Sequence, residues 1–402
     1  MSNGALSTTR LNRMHDLMAS YVERGTAPGL ITLVSRRGQT EVDLIGLRAI
    51  DGEPMTRDTI FRISSMTKPI TAAATMILVE ECKLRLDEPV DRLLPELANR
   101  QVLKRLDGPV DDTVSANRSI TVRDLLTFTP GFGLLMVDPN DYPIAAAMNE
   151  QGVAVGPPSP AKHVATEEWI ANLSKLPLLH QPGEQWMYNT GSELLSILIP
   201  RATGQSLESF FQERIFGPLG MKDTSFVVPA DKLNRLTASY WTNPENGELI
   251  LNDAAADSEW SRSPAFPDGS AGLVSTIDDY LAFSQMLLNN GKLGNVRILS
   301  RPSVELMTTD QLLPEQKSTP GMMNQFFANH GWGFGMSVVT RRDQVAHSLG
   351  TYGWDGGMGT SWYADPREEM TTILLTPAAW TSPLAPNLFL DFWTSAYQSI
   401  DD

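Results

Sequence analysis

Phe61-Arg62-Ile63-Ser64-Ser65-Met66-Thr67-Lys68 is the stretch on which the fold turns. Ile60 to Ile63 reads as extended, and Thr71 to Glu81 carries Ala, Met, Ile and Leu with helical character, so Ser65 stands where a strand passes into a helix. Three residues along a helix place Lys68 on the same face as Ser65. A serine hydroxyl is a weak nucleophile at neutral pH and needs a base within hydrogen-bond reach. A lysine shielded from water beside another cation or a helix N-terminus loses proton affinity and can serve as that base. The helix start also offers the Ser65 backbone N–H to a developing oxyanion. Ser-x-x-Lys by itself also arises by chance, as a helix cap followed by a solvated lysine, so its surroundings decide.

Outward from this point, Leu11 to Arg24 has helical apolar spacing and stops at Gly25. Leu30 to Ser35 and Glu41 to Ile45, joined by the turn-prone Arg36 to Gly38, read as an antiparallel hairpin. Helical segments follow at Val122 to Leu126, Thr166 to Leu173, Ser192 to Thr203 and Leu207 to Phe216. Between the first two lies Pro130 to Pro160, a Pro- and Gly-rich loop carrying Phe132, Leu134, Leu135, Met136 and Tyr142. A long loop with apolar content suggests a lid or pocket wall, with Phe132 as a substrate contact. Strand character returns at Gly333 to Val339, Gly359 to Tyr363 and Met370 to Leu375, and Asn387 to Ile400 closes as a helix. The chain therefore divides into an α/β sheet domain from 1–80 and 262–402, and a mainly helical lobe, 81–261, with the loop 130–160 at the active site.

The residues around Ser65 resemble the nucleophile segment of the serine β-lactamase and penicillin-binding-protein superfamily, in its class C-like branch. Leu84-Arg85-Leu86-Asp87-Glu88-Pro89-Val90, Thr121-Val122-Arg123-Asp124-Leu125-Leu126, Pro182-Gly183 with Trp186 and Tyr188, and Gly272-Leu273-Val274-Ser275-Thr276 resemble further segments of that family, in its order. The resemblance implies an α/β (α+β) fold with an antiparallel sheet flanked by terminal helices and an inserted helical lobe. It also implies a second catalytic element, a tyrosine after a Pro-Gly turn. That position falls on Tyr188, although a register through Asn189-Thr190-Gly191 would put Met187 there. Lactam-cleaving members carry asparagine two residues after the tyrosine, where this chain has Thr190. Their third element, Lys or His followed by x-Gly on an edge strand, corresponds to Trp354-Asp355-Gly356-Gly357. A cation there attracts the carboxylate of a penicillin, whereas Trp354 offers an apolar wall and an indole N–H. Both departures resemble the family VIII carboxylesterases. By position Gly357 supplies the second oxyanion-hole N–H, opposite that of Ser65, with Trp354, Asp355, Gly356 and Thr190 contacting substrate.

Composition narrows the rest. At 402 residues and 42% hydrophobic the chain can close a large core. Its 47 acidic residues against 32 Lys+Arg give a formal charge of -15, which argues against nucleic acid and anionic membrane as partners. The single cysteine, Cys82, follows an apolar helical run and reads as a buried structural thiol. Met1 to Arg13 is polar, and no stretch approaches roughly 18 uninterrupted apolar residues, so a cytoplasmic protein is expected. A signal peptide already removed would leave the same sequence. No Gly-x-Ser-x-Gly elbow occurs, and the histidines at 15, 163, 180, 330 and 347 show no metal-ligand spacing, so no metal or cofactor is expected. His347, just before the Trp354 segment, is a weaker site candidate.

The expectation is a serine hydrolase acting on short to medium carboxylic esters through an acyl-enzyme on Ser65, with Lys68 and Tyr188 moving the proton. A small-molecule ester is its partner, and oligomeric state is not legible. β-Lactamase, D-aminopeptidase or acyltransferase activity stands as the enzymatic alternative, and a catalytically silent sensor on the same fold as the alternative of another class.

Overall fold

The structure, a computed structural model, describes residues 5–135, 138, 140–317 and 325–402; Met136, named above in the loop, lies outside them. Among the described residues a seven-stranded antiparallel sheet is built from both ends of the chain. Its strands are β1 (Gly29–Arg36), β2 (Gln39–Gly46), β3 (His330–Trp332), β4 (Ser337–Val339), β5 (Tyr352–Gly356), β6 (Thr360–Asp365) and β7 (Met370–Leu375). They lie side by side in the order β3-β4-β5-β6-β7-β1-β2. Arg36 pairs with Gln39, leaving Arg37 and Gly38 as a two-residue turn. Both have positive φ, 48° and 84°, as a hairpin turn matched to the strand twist requires.

Strand alternation divides the core. In β1, Ile31 and Leu33 join the large cluster around α2 (Thr67–Glu80), while Leu30 and Val34 turn to the opposite face. There they meet α1 (Thr8–Glu23), through Met14, Met18 and Tyr21, and the last helix, Asn387–Gln398, through Leu388, Phe389 and Phe392. The expected sheet flanked by terminal helices is thus observed. α1 begins three residues before the apolar pattern because its first turn, Thr8-Thr9-Arg10, is polar. α2 is buried on every side from Thr67 to Leu78, which places it inside the molecule and carries Lys68 with it.

Three expectations change. Cys82 is exposed: α2 ends at Glu80, and Cys82 lies with φ 57° in the turn that closes it, facing water. The stretch 130–160 contains a helix, Pro143–Glu150, whose Pro143 in the first turn and Ala145-Ala146-Ala147 run favour it and whose Ile144, Ala145 and Met148 are buried. Finally, the Trp354 segment is not on an edge strand. β5 lies between β4 and β6, but it pairs with β4 only through Tyr352 and Gly353, so Trp354 to Gly356 keep one open side. That side lies against the turn Ser64–Met66. Among the described residues no helix is long and apolar enough to cross a membrane.

Candidate active site

The turn around Ser65 is held from several directions. Phe61 and Arg62 pair with Ser275 and Val274, and the Ile63 N–H donates to Leu273 O at 3.0 Å. The Tyr280 hydroxyl donates to Met66 O at 2.7 Å and the Thr360 hydroxyl to Ile63 O at 3.1 Å. Ser64 sits at φ 45°, a conformation that non-glycine residues rarely hold and that clusters at functional sites. Ser65 follows in a single 3-10 turn, Ser64–Met66, which runs directly into α2, so its N–H lies in the first turn where helical amides have no internal partner.

Lys68 is completely buried. Its Nζ donates to Ser65 Oγ at 2.9 Å and to the Ser270 carbonyl at 2.9 Å, and stands 4.5 Å from the centroid of the Tyr188 ring. Segment 268–270 is fixed for this contact by its neighbours. The Gly269 N–H donates to Ser196 Oγ and the Thr71 hydroxyl to Gly269 O, both at 2.7 Å, and a Cβ at Gly269 would press on both side-chain oxygens.

Tyr188 precedes the helix Thr190–Thr203, which we label α3, and Asn189 between them has φ 85°. The Tyr188 carbonyl accepts from Leu134 N at 2.8 Å, a close approach that requires Gly133, since a Cβ there would sit 2.6 Å from that carbonyl oxygen. This arrangement turns the Tyr188 ring, and not Met187, against Lys68; Met187 belongs to the main core. The Tyr188 hydroxyl accepts from the Trp354 indole at 2.8 Å. The indole N–H expected to face substrate is therefore spent on the tyrosine.

Around this pair the structure assembles rings from distant segments. Phe128, Trp186 and Trp332 form a buried cluster against which Tyr188, Trp354, Phe326 and Phe327 pack, with Trp332 and Trp354 edge to face at 4.6 Å. Only Trp186, Tyr188 and Trp354 carried a sequence signal; the others meet through folding.

Glycines set the strand against the turn around Ser65. A Cβ on Gly356 would collide with the Ile63 carbonyl and the Thr360 hydroxyl, so Gly356 permits close packing of β5 on the turn before Ser65 and offers no side chain to a substrate. Gly357 is exposed, and among the described residues its N–H has no acceptor, whereas its carbonyl accepts from Trp380 N at 2.8 Å.

The remaining candidates do not join Ser65, Lys68 and Tyr188. Asp355 alternates to the other face of β5, where Tyr363 donates to Oδ2 at 2.9 Å. Burial pushes its carboxyl up to about 7, against smaller opposing hydrogen bonds from Ser361 and Tyr363. Thr190 is completely buried on the first turn of α3 beside Glu193, and Phe132 is 1% exposed within the main core, so neither presents a surface to substrate. His347 packs its ring, tilted, against Tyr363 and Trp393 on the terminal-helix side of the sheet, and burial pushes it down to about 3. Glu193, unremarked in the sequence, is buried near Lys68 and Asp268; an acid in the first turn of an otherwise apolar helix was its only signal.

The β-lactamase family model matches residues 14–381. Protein Rv1367c of Mycobacterium tuberculosis is 38% identical over 362 residues, covering 88% of this chain and 86% of that protein. Esterase EstB of Burkholderia gladioli is 29% identical over 358 residues, covering 83% of this chain and 81% of its own. Among solved structures, EstCE1, described as a hydrolase with promiscuous acyltransferase activity, superposes with a TM-score of 0.78 at 25% identity over 97% of this chain and 98% of that one. With its helices and antiparallel sheet in the β-lactamase/transpeptidase-like arrangement, the chain belongs to the β-lactamase family, among the serine hydrolases and acyltransferases built on that fold.

Proposed function

We propose that this protein is a carboxylesterase that cleaves short to medium esters through an acyl-enzyme on Ser65. The observation that carries the reading is the contact of Lys68 Nζ with both Ser65 Oγ and the face of the Tyr188 ring, completed by the Trp354 indole on the tyrosine oxygen. Ser65 Oγ attacks the ester carbonyl as its proton passes to the Lys68 and Tyr188 pair. The carbonyl oxygen becomes an oxyanion facing the N–H groups of Ser65 and Gly357. The carbon–oxygen bond to the alcohol then breaks, the alcohol leaves with the proton held by the pair, and a water attacks the acyl-enzyme by the same route to release the acid.

The preference for esters over lactams rests on Trp354. An indole N–H already bonded to Tyr188 brings no positive charge for a lactam carboxylate. The similarity to esterase EstB supports the same reading. The description of EstCE1 favours a second outcome on the same intermediate, in which an alcohol replaces water and the acyl group is transferred.

Ser65→Ala tests the reading. The variant should fold, fail to label with a fluorophosphonate and lose p-nitrophenyl butyrate turnover by several orders of magnitude. Wild-type activity in Ser65→Ala would sink the mechanism. Comparison of p-nitrophenol release with and without a competing short alcohol separates hydrolysis from transfer.

A further inference from the structure

We infer that Asp253 is a positioning residue for the reaction: by clasping Arg62 it sets the Gly357 N–H against the Ser65 N–H, so that both meet the developing oxyanion. Ser65 and Gly357 form that oxyanion hole in the proposed mechanism, on which this inference rests.

Gly357 lies just past the end of β5, where the strand ladder no longer holds the backbone. The Gly359 N–H donates to Gly356 O at 2.9 Å and closes a tight turn. In a trans peptide the C=O and N–H point to opposite sides, so anchoring the Gly356 carbonyl aims the Gly357 N–H the other way. Segment 376–380 braces the turn from outside: Thr376 N donates to Gly359 O and Trp380 N to Gly357 O, both at 2.8 Å. Gly359 has φ 102°, and a Cβ there would sit 2.4 Å from the carbonyl oxygens of both Thr376 and Ala378, so the turn rests directly on that segment.

A hairpin, Ser239–Thr242 with Leu249–Asp253, holds the brace in its turn. Tyr240 N donates to Pro377 O at 2.9 Å, and Ala379 N to Tyr240 O at 2.8 Å. Ser239, the neighbour of Tyr240, pairs across the hairpin with Asp253. The Asp253 side chain is 10% exposed. Its Oδ2 accepts from Arg62 Nε at 2.8 Å, from Arg62 Nη2 and from the Ser258 hydroxyl at 2.6 Å, while its Oδ1 accepts from Glu259 N at 3.0 Å. Arg62 is buried in the short strand that leads to Ser65, and it also donates to Thr237 O at 2.7 Å and to Ser258 Oγ at 3.0 Å. One guanidinium thus grips the hairpin segment before its first strand and at the end of its second. The path from the Ser65 strand to Gly357 runs through Arg62, Asp253, Tyr240 and Trp380.

A buried guanidinium depends on its carboxylate partner, and the fork of donors fixes direction as well as distance. An oxyanion-hole donor acts only within about 2.7 to 3.1 Å of the oxygen, and a misplacement of about 1 Å can cost about a hundredfold in rate. Arg62 and Asp253 are both buried, so loosening their clasp should act on the transition state and not on ester binding.

The test compares p-nitrophenyl butyrate with its thionoester, in which sulfur replaces the carbonyl oxygen. Sulfur is larger and a weaker acceptor, so well-aligned donors discriminate against it. In Asp253→Asn, which keeps the side-chain shape and removes the charge, kcat on the ester should fall about thirtyfold with KM little changed. The ester-to-thionoester ratio of kcat/KM should fall about tenfold. A smaller folded fraction would lower both substrates alike, so an unchanged ratio in folded Asp253→Asn overturns the inference. Should that variant not fold, Ser258→Ala decides, since it withdraws one donor from Asp253 and one acceptor from Arg62. Its ratio should fall about threefold, and an unchanged ratio there likewise overturns the inference. Failure of the underlying oxyanion hole looks different: the wild type itself would then show no greater ratio than hydroxide in water.

Discussion

The indole Nε1 of Trp354 donates to the Tyr188 hydroxyl at 2.8 Å, joining β5 to the segment that leads into α3. Tyr188 thus has a neutral donor on its oxygen and the Lys68 Nζ 4.5 Å over its ring. A donor on the phenol oxygen favours it as it gains negative charge, and a hydrogen bond to a charged group is worth about 1.5 to 3 kcal/mol. Trp354→Phe keeps a ring in the aromatic cluster but removes this donor. Its kcat on p-nitrophenyl acetate should fall about tenfold to a hundredfold, with KM changed far less. Unchanged kcat would mean that the bond plays no part in turnover.

In the proposed mechanism Lys68 and Tyr188 act on one proton, so their losses should not add. Lys68→Ala and Tyr188→Phe should each reduce kcat by at least about a hundredfold, and the double variant should lose much less than the product of the two. Steady-state kinetics on the four proteins of this cycle read the coupling directly. Multiplicative losses would assign the two side chains to separate steps.

What the sequence disclosed and what it hid follow from where each signal lives. The Arg37-Gly38 hairpin and the Ser65–Lys68 spacing are local, so a short window contains both partners. Asp355 could have been read correctly, because a period of two places it opposite Trp354, and treating the segment as one binding motif obscured this. Glu193 and Asp268 meet across 75 residues, and Phe128, Trp186, Trp332 and Trp354 across still more, through packing that no single window encodes. Gly356 was legible as a glycine, but its reason, the carbonyl of Ile63, belongs to the turn before Ser65, almost 300 residues earlier.

Asp355 yields a stability prediction whose sign can be worked out. Its carboxyl titrates at about 7 when folded, against the ordinary value of 3.8. Between these values the unfolded chain has released the proton and the folded chain has not, so this group lowers stability progressively as pH rises and reaches its full cost above about pH 7. Three pKa units set an upper limit of about 4 kcal/mol. Asp355→Asn removes the titration and should gain stability relative to wild type between about pH 4.5 and about pH 8, as measured by urea unfolding. A variant–wild-type difference that is the same at both pH values would exclude a buried titrating Asp355.

The last prediction concerns substrate choice. In the proposed reading Trp354 takes the place of the cation expected in lactam-cleaving members of the fold, and its N–H is occupied by Tyr188. A charge-assisted pair with a lactam carboxylate, about 1.5 to 3 kcal/mol, is therefore missing. Apolar acyl groups instead gain about 0.8 kcal/mol for each methylene buried, or roughly fourfold in kcat/KM, so values should rise from acetyl to butyryl p-nitrophenyl esters until the groove is filled. Together these effects should make p-nitrophenyl butyrate at least about a hundredfold better than a penicillin or cephalosporin, a difference of about 2.7 kcal/mol in transition-state stabilisation. Trp354→Lys should narrow that gap from both sides, because it restores a cation for the carboxylate and removes an apolar wall. Comparable kcat/KM on a penicillin and on p-nitrophenyl butyrate would refute the esterase assignment and leave Ser65 as the nucleophile of a lactam-cleaving enzyme.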